Sequence, residues 1–473
     1  MIPRSATFRA NSRAALDNPE LVRALGTMKT GFRQKRAAAV DALPEFDALR
    51  DRAVAMKNHT LDHLDHYLES FADKVEAAGG TVHWATDAEA ARQQVLEICR
   101  AHGAHTVTKG KSMIAEEVGL NEALEDAGMR PVETDLGEYI IQLRREPPSH
   151  IIAPAIHVSK AQVADAFRAA HGDLDPAREL DTPRALLDEA RAVLRHDFTA
   201  ADVGITGANL LIAETGATVI VTNEGNGDLT QLLPRVHIVL ASLEKVVPTL
   251  DDASLILRLL ARSATGQTAS SYTSFSLGPR RPEDADGPQA FHVILLDNGR
   301  SEMLGNGFRE MLRCIRCAAC MNHCPVYGAV GGHAYGWVYP GPMGSVLTPA
   351  LIGIDKAAPL PEASTLCGRC EAVCPMRIPL PGLLRQWRAR AHDQRLSPPA
   401  MRRGLAAWGW LAARPRLYHP LNRLAAVALG RLGRRRGGFA RLPLAGGWTK
   451  SRDLPAPEGD TFQARYRRGA RRP

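Results

Sequence analysis

The stretch Cys314-Ile315-Arg316-Cys317-Ala318-Ala319-Cys320-Met321-Asn322-His323-Cys324-Pro325 decides how the second half of this chain folds. It is answered by Cys367-Gly368-Arg369-Cys370-Glu371-Ala372-Val373-Cys374-Pro375. Seven of the eight cysteines lie in these two windows, and Cys99 stands apart. The first window is the C-x2-C-x2-C-x3-C-P run of bacterial two-cluster ferredoxins, in which closely spaced thiolates wrap one iron–sulfur cluster. Zinc rarely needs seven cysteines, and the paired Cys-Pro endings are those of ferredoxins rather than of zinc modules.

In such runs the fourth cysteine ligates the other cluster. That crossing rule assigns Cys314, Cys317, Cys320 and Cys374 to cluster one, a [4Fe–4S] centre. Cluster two receives Cys324, Cys367 and Cys370, one thiolate short, because Ser364 stands where a full second window has cysteine. Three readings stay open for cluster two: [4Fe–4S] with water, Ser364 or an outside ligand on the fourth iron; [3Fe–4S]; or no second cluster. Arg313, Arg316, Arg369 and Arg377 flank the thiolates and offset their charge, and His323 sits beside Cys324 as a donor or surface residue rather than a ligand.

Working outward, residues 301–395 form the ferredoxin-type module. Its windows are joined by 42 residues rich in glycine and proline. A connection of that length is rarely idle; it is expected to wrap the module, with one helix over Leu347–Ile354. Residues 71–300 alternate strand and helix: strands at Thr81–Ala85, His105–Lys109, Pro131–Asp135, Asp202–Ile205, Asn209–Glu214, Thr218–Thr222, His237–Leu240 and His292–Leu296, with helices at Glu89–Arg100 and Ala115–Ala127. This pattern predicts an α/β layer with a largely parallel sheet. Glu214-Thr215-Gly216-Ala217 is expected to turn a hairpin within that sheet. Cys99 falls inside a helix with no second thiol nearby and is read as a small buried residue. Residues 1–70 carry apolar positions at helical spacing (Leu43, Phe46, Leu49, Ala53, Met56), with a further amphipathic helix around Leu21–Phe32, and are expected to be packing scaffold.

The tail, 396–473, is different in charge. Residues 401–473 hold 17 Lys and Arg against Asp453, Glu458 and Asp460, whereas the whole chain is only +8. Two apolar helices, Leu405–Ala413 and Leu421–Leu432, are expected before a poorly ordered Arg/Gly/Pro-rich end. Such a tail suits an acidic partner or an anionic membrane surface. Its aromatic residues are scattered, not set as a stacking platform, so no nucleic acid is expected. No apolar run reaches the ~18–20 residues of a membrane-spanning helix. Residues 1–13 are basic but carry no secretory h-region, so the cysteines are read as metal ligands in a reducing cytoplasm.

The cysteine windows together with the α/β region resemble the lactate utilisation protein B family. The resemblance rests on Lys109-Gly-Lys-Ser-Met113 with Glu116-Glu117, Glu133-Thr-Asp-Leu-Gly-Glu-Tyr139, Thr206-Gly-Ala-Asn209, Glu214-Thr-Gly216, Asn223-Glu-Gly225, His237-Ile-Val239 and Glu244-Lys-Val-Val-Pro248. It reaches to about residue 395. It implies a LUD-type domain, similar to sugar-phosphate isomerases and CoA-transferases, ahead of the two-cluster module. It also implies work with companion proteins A and C in oxidising L-lactate to pyruvate, this component being the electron carrier. The Arg431–Arg436 and Arg465–Arg472 runs of the long basic tail are not matched in the resemblance, which leaves partner binding at that end open.

A rival reading is a self-sufficient 2-hydroxy-acid dehydrogenase with a substrate cleft in the α/β domain. Lys111, Glu133, Asp135, Glu214, Asn223 and Lys245 sit at strand ends, where ligands of open α/β sheets bind; each is also placed to cap a helix or turn. Gly204-x-x-Gly207 and Gly225-x-Gly227 lack the full dinucleotide fingerprint. Without a flavin or nicotinamide to take a hydride, the electron-carrier reading is favoured.

Overall fold

The computed structural model describes residues 3–110, 112–442, 446–449 and 452–469. The chain forms two compact units, Met1–Ala391 and His392–Pro473. In the larger unit the alternating segments become ten strands among the described residues: β1 (Thr81–Ala85), β2 (Thr106–Lys109), β3 (Arg130–Glu133), β4 (Val203–Gly207), β5 (Leu210–Ile212), β6 (Ala217–Thr222), β7 (Val236–Ser242), β8 (Val246–Val247), β9 (Tyr272–Ser276) and β10 (Ala290–Leu296).

Six of them make an all-parallel sheet in the order β1-β10-β7-β4-β2-β3. All seven residues of β7 are buried, as a central strand covered by helices on both faces requires. Ala91, Val95, Ile98 and Cys99 of the helix Ala88–Ala101 pack on one side of this sheet; Leu64, Leu68, Phe71 and Val75 of the helix Leu64–Ala77 pack on the other. Cys99 is fully buried there, and burial pushes its thiol up to about 12, in keeping with a small apolar filler.

Two sequence expectations need correction. The helix expected over Ala115–Ala127 is broken into Met113–Val118 and Leu120–Asp126, because Gly119 adopts φ 66° and starts a new helix axis. The hairpin at 214–217 forms, with Gly216 at φ 73°, but it does not belong to the parallel sheet. It joins β5 to β6 in a separate four-stranded mixed sheet, β8-β5-β6-β9. The short apolar runs of β5 and β8 say nothing of which sheet they enter, since that is set by partners far along the chain.

The second sheet carries the helix Leu250–Ala264, and this layer shares one hydrophobic core with the N-terminal helices and the cysteine module. Phe46, Leu49, Leu210, Ile256, Leu259, Met311, Tyr327 and Leu347 all belong to it. Residues 1–391 are therefore continuous in packing across positions 70 and 300. The connection between the windows folds into short helices and one of 12 residues, Gly341–Ile352, with Pro349 inside it.

The smaller unit contains the helices Pro399–Ala412 and Pro415–Gly433, then a short hairpin pairing Gly438–Phe439 with Leu454–Pro455, and a last helix Phe462–Gly469. The described part of the tail end is thus more regular than its composition suggested. No helix among the described residues is long and apolar enough to cross a membrane.

Candidate iron–sulfur centre

The two cysteine windows repeat one local shape. In the first, Arg316 (φ 57°) and Ala318 (φ 60°) bracket Cys317, the four-residue helix Ala319–Asn322 carries Cys320, and Cys324-Pro325 follows. In the second, Leu366 (φ 54°) and Gly368 (φ 80°) bracket Cys367, the helix Arg369–Ala372 carries Cys370, and Cys374-Pro375 follows. Left-handed backbone at Arg316, Ala318 and Leu366 is unusual for residues with a Cβ and marks sites where the surroundings dictate the fold. Superposing the repeats by sequence sets Ser364 opposite Cys314. The Ser364 hydroxyl accepts from the Leu366 N–H at 3.1 Å, and its carbonyl accepts from Arg388 at 2.9 Å.

Cys314, Cys317, Cys320 and Cys374 line one small cavity, walled by Ile151, Met311, Met343 and Leu380. Burial pushes the Cys317 thiol up to about 12 and Cys374 up to about 11, and raises Cys320 well above the usual thiol range. Thiols so placed give up their protons to a metal rather than to water. Cys324, Cys367 and Cys370 form the other group. Burial, and then Cys324, pushes Cys370 up to about 12; burial raises Cys324, with Cys367 adding to it. Cys367 is the exception, exposed and held below the usual thiol range by the Arg369 backbone N–H and the Thr365 hydroxyl. Among the described residues no three His, Cys, Asp or Glu side chains are set as ligands of a single metal ion. Four thiols spread round a dry cavity fit a multinuclear cluster, whose irons are held by cysteine thiolates.

What fixes the windows comes mostly from the N-terminal helices, which the sequence marked only as scaffold. Arg50, 8% exposed, donates to the Cys374 carbonyl at 3.1 and 2.6 Å and to the Ala372 carbonyl at 3.2 Å. Arg36 donates to the Val373 carbonyl at 2.9 Å and Arg33 to the Asn322 carbonyl at 2.7 Å. These guanidiniums place positive charge beside both windows while satisfying their carbonyls. Of the flanking arginines, Arg377 is engaged by Asp51 at 2.6 Å and Arg369 is exposed, while Arg313 is buried and reaches Glu310 at 3.4 Å, and Arg316 turns inward to Glu244. His323 is buried, bonded through Nδ1 to the Ala319 carbonyl at 2.8 Å, and held neutral because burial pushes it down to about 4. Gly332 secures the connecting segment: a Cβ there would lie 1.8 Å from the Ser149 carbonyl oxygen.

A buried ionic network lies beside the cluster cavity. Arg300 pairs with Glu117 at 2.7 Å and Glu244 at 3.1 Å; Arg316 reaches the other oxygen of Glu244 at 3.1 Å and stacks over Tyr339 at 5.1 Å. Tyr339 donates to Glu117 at 2.6 Å, and Lys57 donates to the Glu244 and Val246 carbonyls. Burial favours protonation of Glu244, but Arg300, Arg316 and Lys245 overcome it and hold this carboxyl at about 2. The network ties the α/β layer to the cysteine loop.

The polar residues expected at strand ends divide. Asp135, Asn223 and Lys245 line one cleft of about 250 Å³, between the second sheet and the loops after β2, β3 and β4. Glu133 is buried against Lys109 at 2.6 Å and Asn121 at 2.8 Å, outside that cleft, and Glu214 accepts from the Leu250 N–H at 3.0 Å, at the start of a helix. Those two are structural. Lys111 lies outside the described residues. Arg316 and Tyr339, unmarked by strand-end position, also line the cleft.

Comparison with known proteins agrees with this architecture. Residues 68–296 match the LUD domain family and residues 310–378 match the 4Fe-4S dicluster domain family. Lactate utilization protein B of Shouchella clausii is 41% identical over 98% of both chains. That of Bacillus licheniformis is 40% identical over 96% of this chain and 95% of its own. An uncharacterized electron transport protein, YkgF, of Escherichia coli is 38% identical over 98% of this chain and 96% of its own. A crystal structure of a DUF162 family protein from Deinococcus radiodurans aligns with 49% of this chain at 14% identity and a TM-score of 0.27. With an α/β LUD layer, a 4Fe-4S dicluster module and near-full-length identity of about two residues in five, this chain belongs to the lactate utilization protein B family.

Proposed function

We propose that this chain is the iron–sulfur electron-transfer component of a system that oxidises L-lactate to pyruvate. The observation that carries the reading is the sorting of seven thiols into two neighbouring sets, four round one small cavity and three in a second group of which only Cys367 is exposed. In this reading Cys314, Cys317, Cys320 and Cys374 hold a [4Fe–4S] cluster. Cys324, Cys367 and Cys370 hold a second cluster, [4Fe–4S] or [3Fe–4S], with Ser364 tied into its own turn. Bound there, the clusters take up and release single electrons at potentials set by hydrogen bonding and burial. The protein's share is to keep the first set dry, to place Arg33, Arg36 and Arg50 against the negative thiolates, and to present Cys367 outward.

Companion proteins A and C of lactate utilisation are the proposed partners, in the cytoplasm, with the basic tail touching an anionic membrane surface. The name carried by the relatives and the electron-transport title of another support the role. No flavin or nicotinamide motif supplies a hydride acceptor in this chain, which favours a carrier over a self-sufficient dehydrogenase.

Anaerobic reconstitution with iron and sulfide tests the reading. Wild type is expected to hold about eight irons with two cubanes, or about seven with one [3Fe–4S]. Cys374→Ser should lose the signal of the enclosed cluster and keep the other; Cys370→Ser should do the reverse. About four irons in wild type, or both variants removing the same signal, would overturn the two-cluster assignment.

A further inference from the structure

Among the described residues, six of the nine large apolar side chains exposed between positions 81 and 391 gather on two adjoining elements. Leu229, Leu232 and Leu233 stand at i, i+3 and i+4 on the helix Asn226–Leu232 and the residue after it; Tyr272, Phe275 and Leu277 lie on β9 and just beyond it. The helix lies against that strand, where Gln231 accepts from the Ser276 hydroxyl at 2.6 Å and Asp228 accepts from Ser274. All six side chains are between 42% and 48% exposed. Single leucines on a surface need no explanation, whereas a gathered set of this kind marks a contact surface.

Part of this surface is a groove of about 650 Å³. Leu229, Leu233 and Tyr272 form one wall, and one face of the helix Pro183–Ala200 forms the other. On that face Leu187, Ala190, Leu194 and Phe198 recur at helical spacing, and with Thr199 they run for about 18 Å, a little over three turns. A small-ligand pocket encloses most of its ligand. This trough instead has one wall nearly half exposed along its length. It matches a helix laid in a groove, with apolar anchors at i, i+3 or i+4, and i+7.

The charge of the walls selects among helices. Arg191 and Arg195, one turn apart, line the groove and are exposed. The carboxylates nearest to them in sequence are taken, Asp188 by Arg184, Glu189 by Arg178 and Asp197 by Arg130. Glu224, in the loop before the helix Asn226–Leu232, is the one carboxylate among the described lining residues, so the groove is net positive. A two-fold contact between copies of this chain would set the arginines against themselves. The chain's own exposed apolar helices, Pro399–Ala412 and Pro415–Gly433, hold arginines and no carboxylate, so a second copy's tail would also meet like charge.

We propose that the groove between the helices Pro183–Ala200 and Asn226–Leu232 is the docking site for an acidic amphipathic helix of a partner protein. The apolar face of that helix lies on Leu194, Leu229 and Leu233, and its carboxylates meet Arg191 and Arg195. No cysteine is among the described residues that line the groove, so the site stands on the α/β layer alone and goes beyond the electron-carrier reading.

The test is fluorescence anisotropy of the full, anaerobically reconstituted chain with two labelled peptides of about 14 residues, enough to span the groove as a helix. One repeats leucine and glutamate at helical spacing; the other has lysine in place of every glutamate. The glutamate peptide is expected to bind saturably, about tenfold or more tighter than the lysine peptide, and to weaken as salt is raised. Arg191→Glu/Arg195→Glu should reverse the order of the two peptides, a result that unfolding would not produce. Leu233→Asp, a change at an exposed position, should abolish binding of the glutamate peptide with iron content unchanged. If Leu233→Asp loses its fold, the charge reversal decides. No saturable binding of the glutamate peptide, equal binding of the two peptides, or an order unmoved by the charge reversal would overturn the site. So would a wild-type dimer, seen by sedimentation, that Leu233→Asp dissociates, since the groove would then belong to a second copy. Iron content, measured on the same samples, tests the electron-carrier reading separately.

Discussion

A single arginine shows how much of this centre is built by remote residues. Arg50 lies 324 positions before Cys374, yet two of its nitrogens hold that cysteine's carbonyl. Replacing it with alanine strands buried carbonyls beside the enclosed thiols, a cost of about 1–3 kcal/mol. Arg50→Ala is therefore expected to lower the unfolding free energy by that amount, read as a lower urea midpoint at unchanged slope, and to move the potential of the enclosed cluster to more negative values. Anaerobic denaturation and a redox titration measure the two effects; unchanged values in both would show that the contact is incidental. At this scale the cysteines themselves were legible, because their chemistry is written in spacings of a few residues. So was the gap at Ser364. Arg33, Arg36 and Arg50 were not, since nothing local distinguishes a helix arginine that faces solvent from one that meets a loop 300 residues away. Lys245 and Asn223 were placed correctly in a cleft by strand-end position, while Glu133 and Glu214 met their needs nearby, in Lys109 and a helix start.

Elements carry the pH behaviour. β7 places His237 in the middle of the parallel sheet, bonded to the Thr206 hydroxyl at 2.9 Å and fully buried, and burial pushes it down to about 3 from its ordinary value near 6.5. Above 6.5 the ring is neutral in both folded and unfolded chains and costs nothing. Below 6.5 the unfolded chain binds a proton that the folded one refuses until about pH 3, so stability falls as pH falls through that window. Glu244, held at about 2, adds a loss below about 4.5, where its unfolded counterpart is protonated first. Thermal midpoints measured from pH 7 to pH 4 are expected to drop steeply in wild type, and less in His237→Gln, whose side chain does not titrate. A slope unchanged by the substitution would exclude His237 as its source. Eight of the ten strands were readable from periodicity and apolar content; β8, of two residues, and β9, mostly exposed, were missed. Their division between two sheets was not readable, because the partners of β5, β6, β8 and β9 are set by pairing with strands up to some 58 residues away, as in Thr218 opposite Ser276, which local pattern does not encode. The break at Gly119 was legible only in retrospect, as a glycine inside an otherwise helical run.

At the scale of the whole molecule, the basic tail was legible as charge and only partly as structure. Its two helices, taken by themselves, expose Leu405, Trp408, Trp410, Leu417, Leu421 and Leu424, with arginines between them. Aromatic and leucine side chains beside guanidiniums suit the boundary between lipid headgroups and acyl chains. Co-sedimentation with vesicles containing phosphatidylglycerol is expected, weakening as salt is raised and falling in Trp408→Ala/Trp410→Ala. Equal binding to purely zwitterionic vesicles would count against an electrostatic contact, and no binding to either would remove the membrane from the proposal. The sharing of one hydrophobic core by the N-terminal helices, the second sheet and the cysteine module was hidden from the sequence, which presents these as consecutive segments.

The exposure of Cys367 has a consequence for durability. Six of the seven clustered thiols are shielded by side chains, loops or each other, whereas Cys367 meets solvent with its thiol already biased towards thiolate. Oxidants and alkylating reagents attack accessible thiolates first. Corrosion of the protein in air therefore has a point of entry, at the three-thiol end, and the enclosed set outlives it. The one outward thiol of the seven fixes how long the protein survives outside a reducing environment.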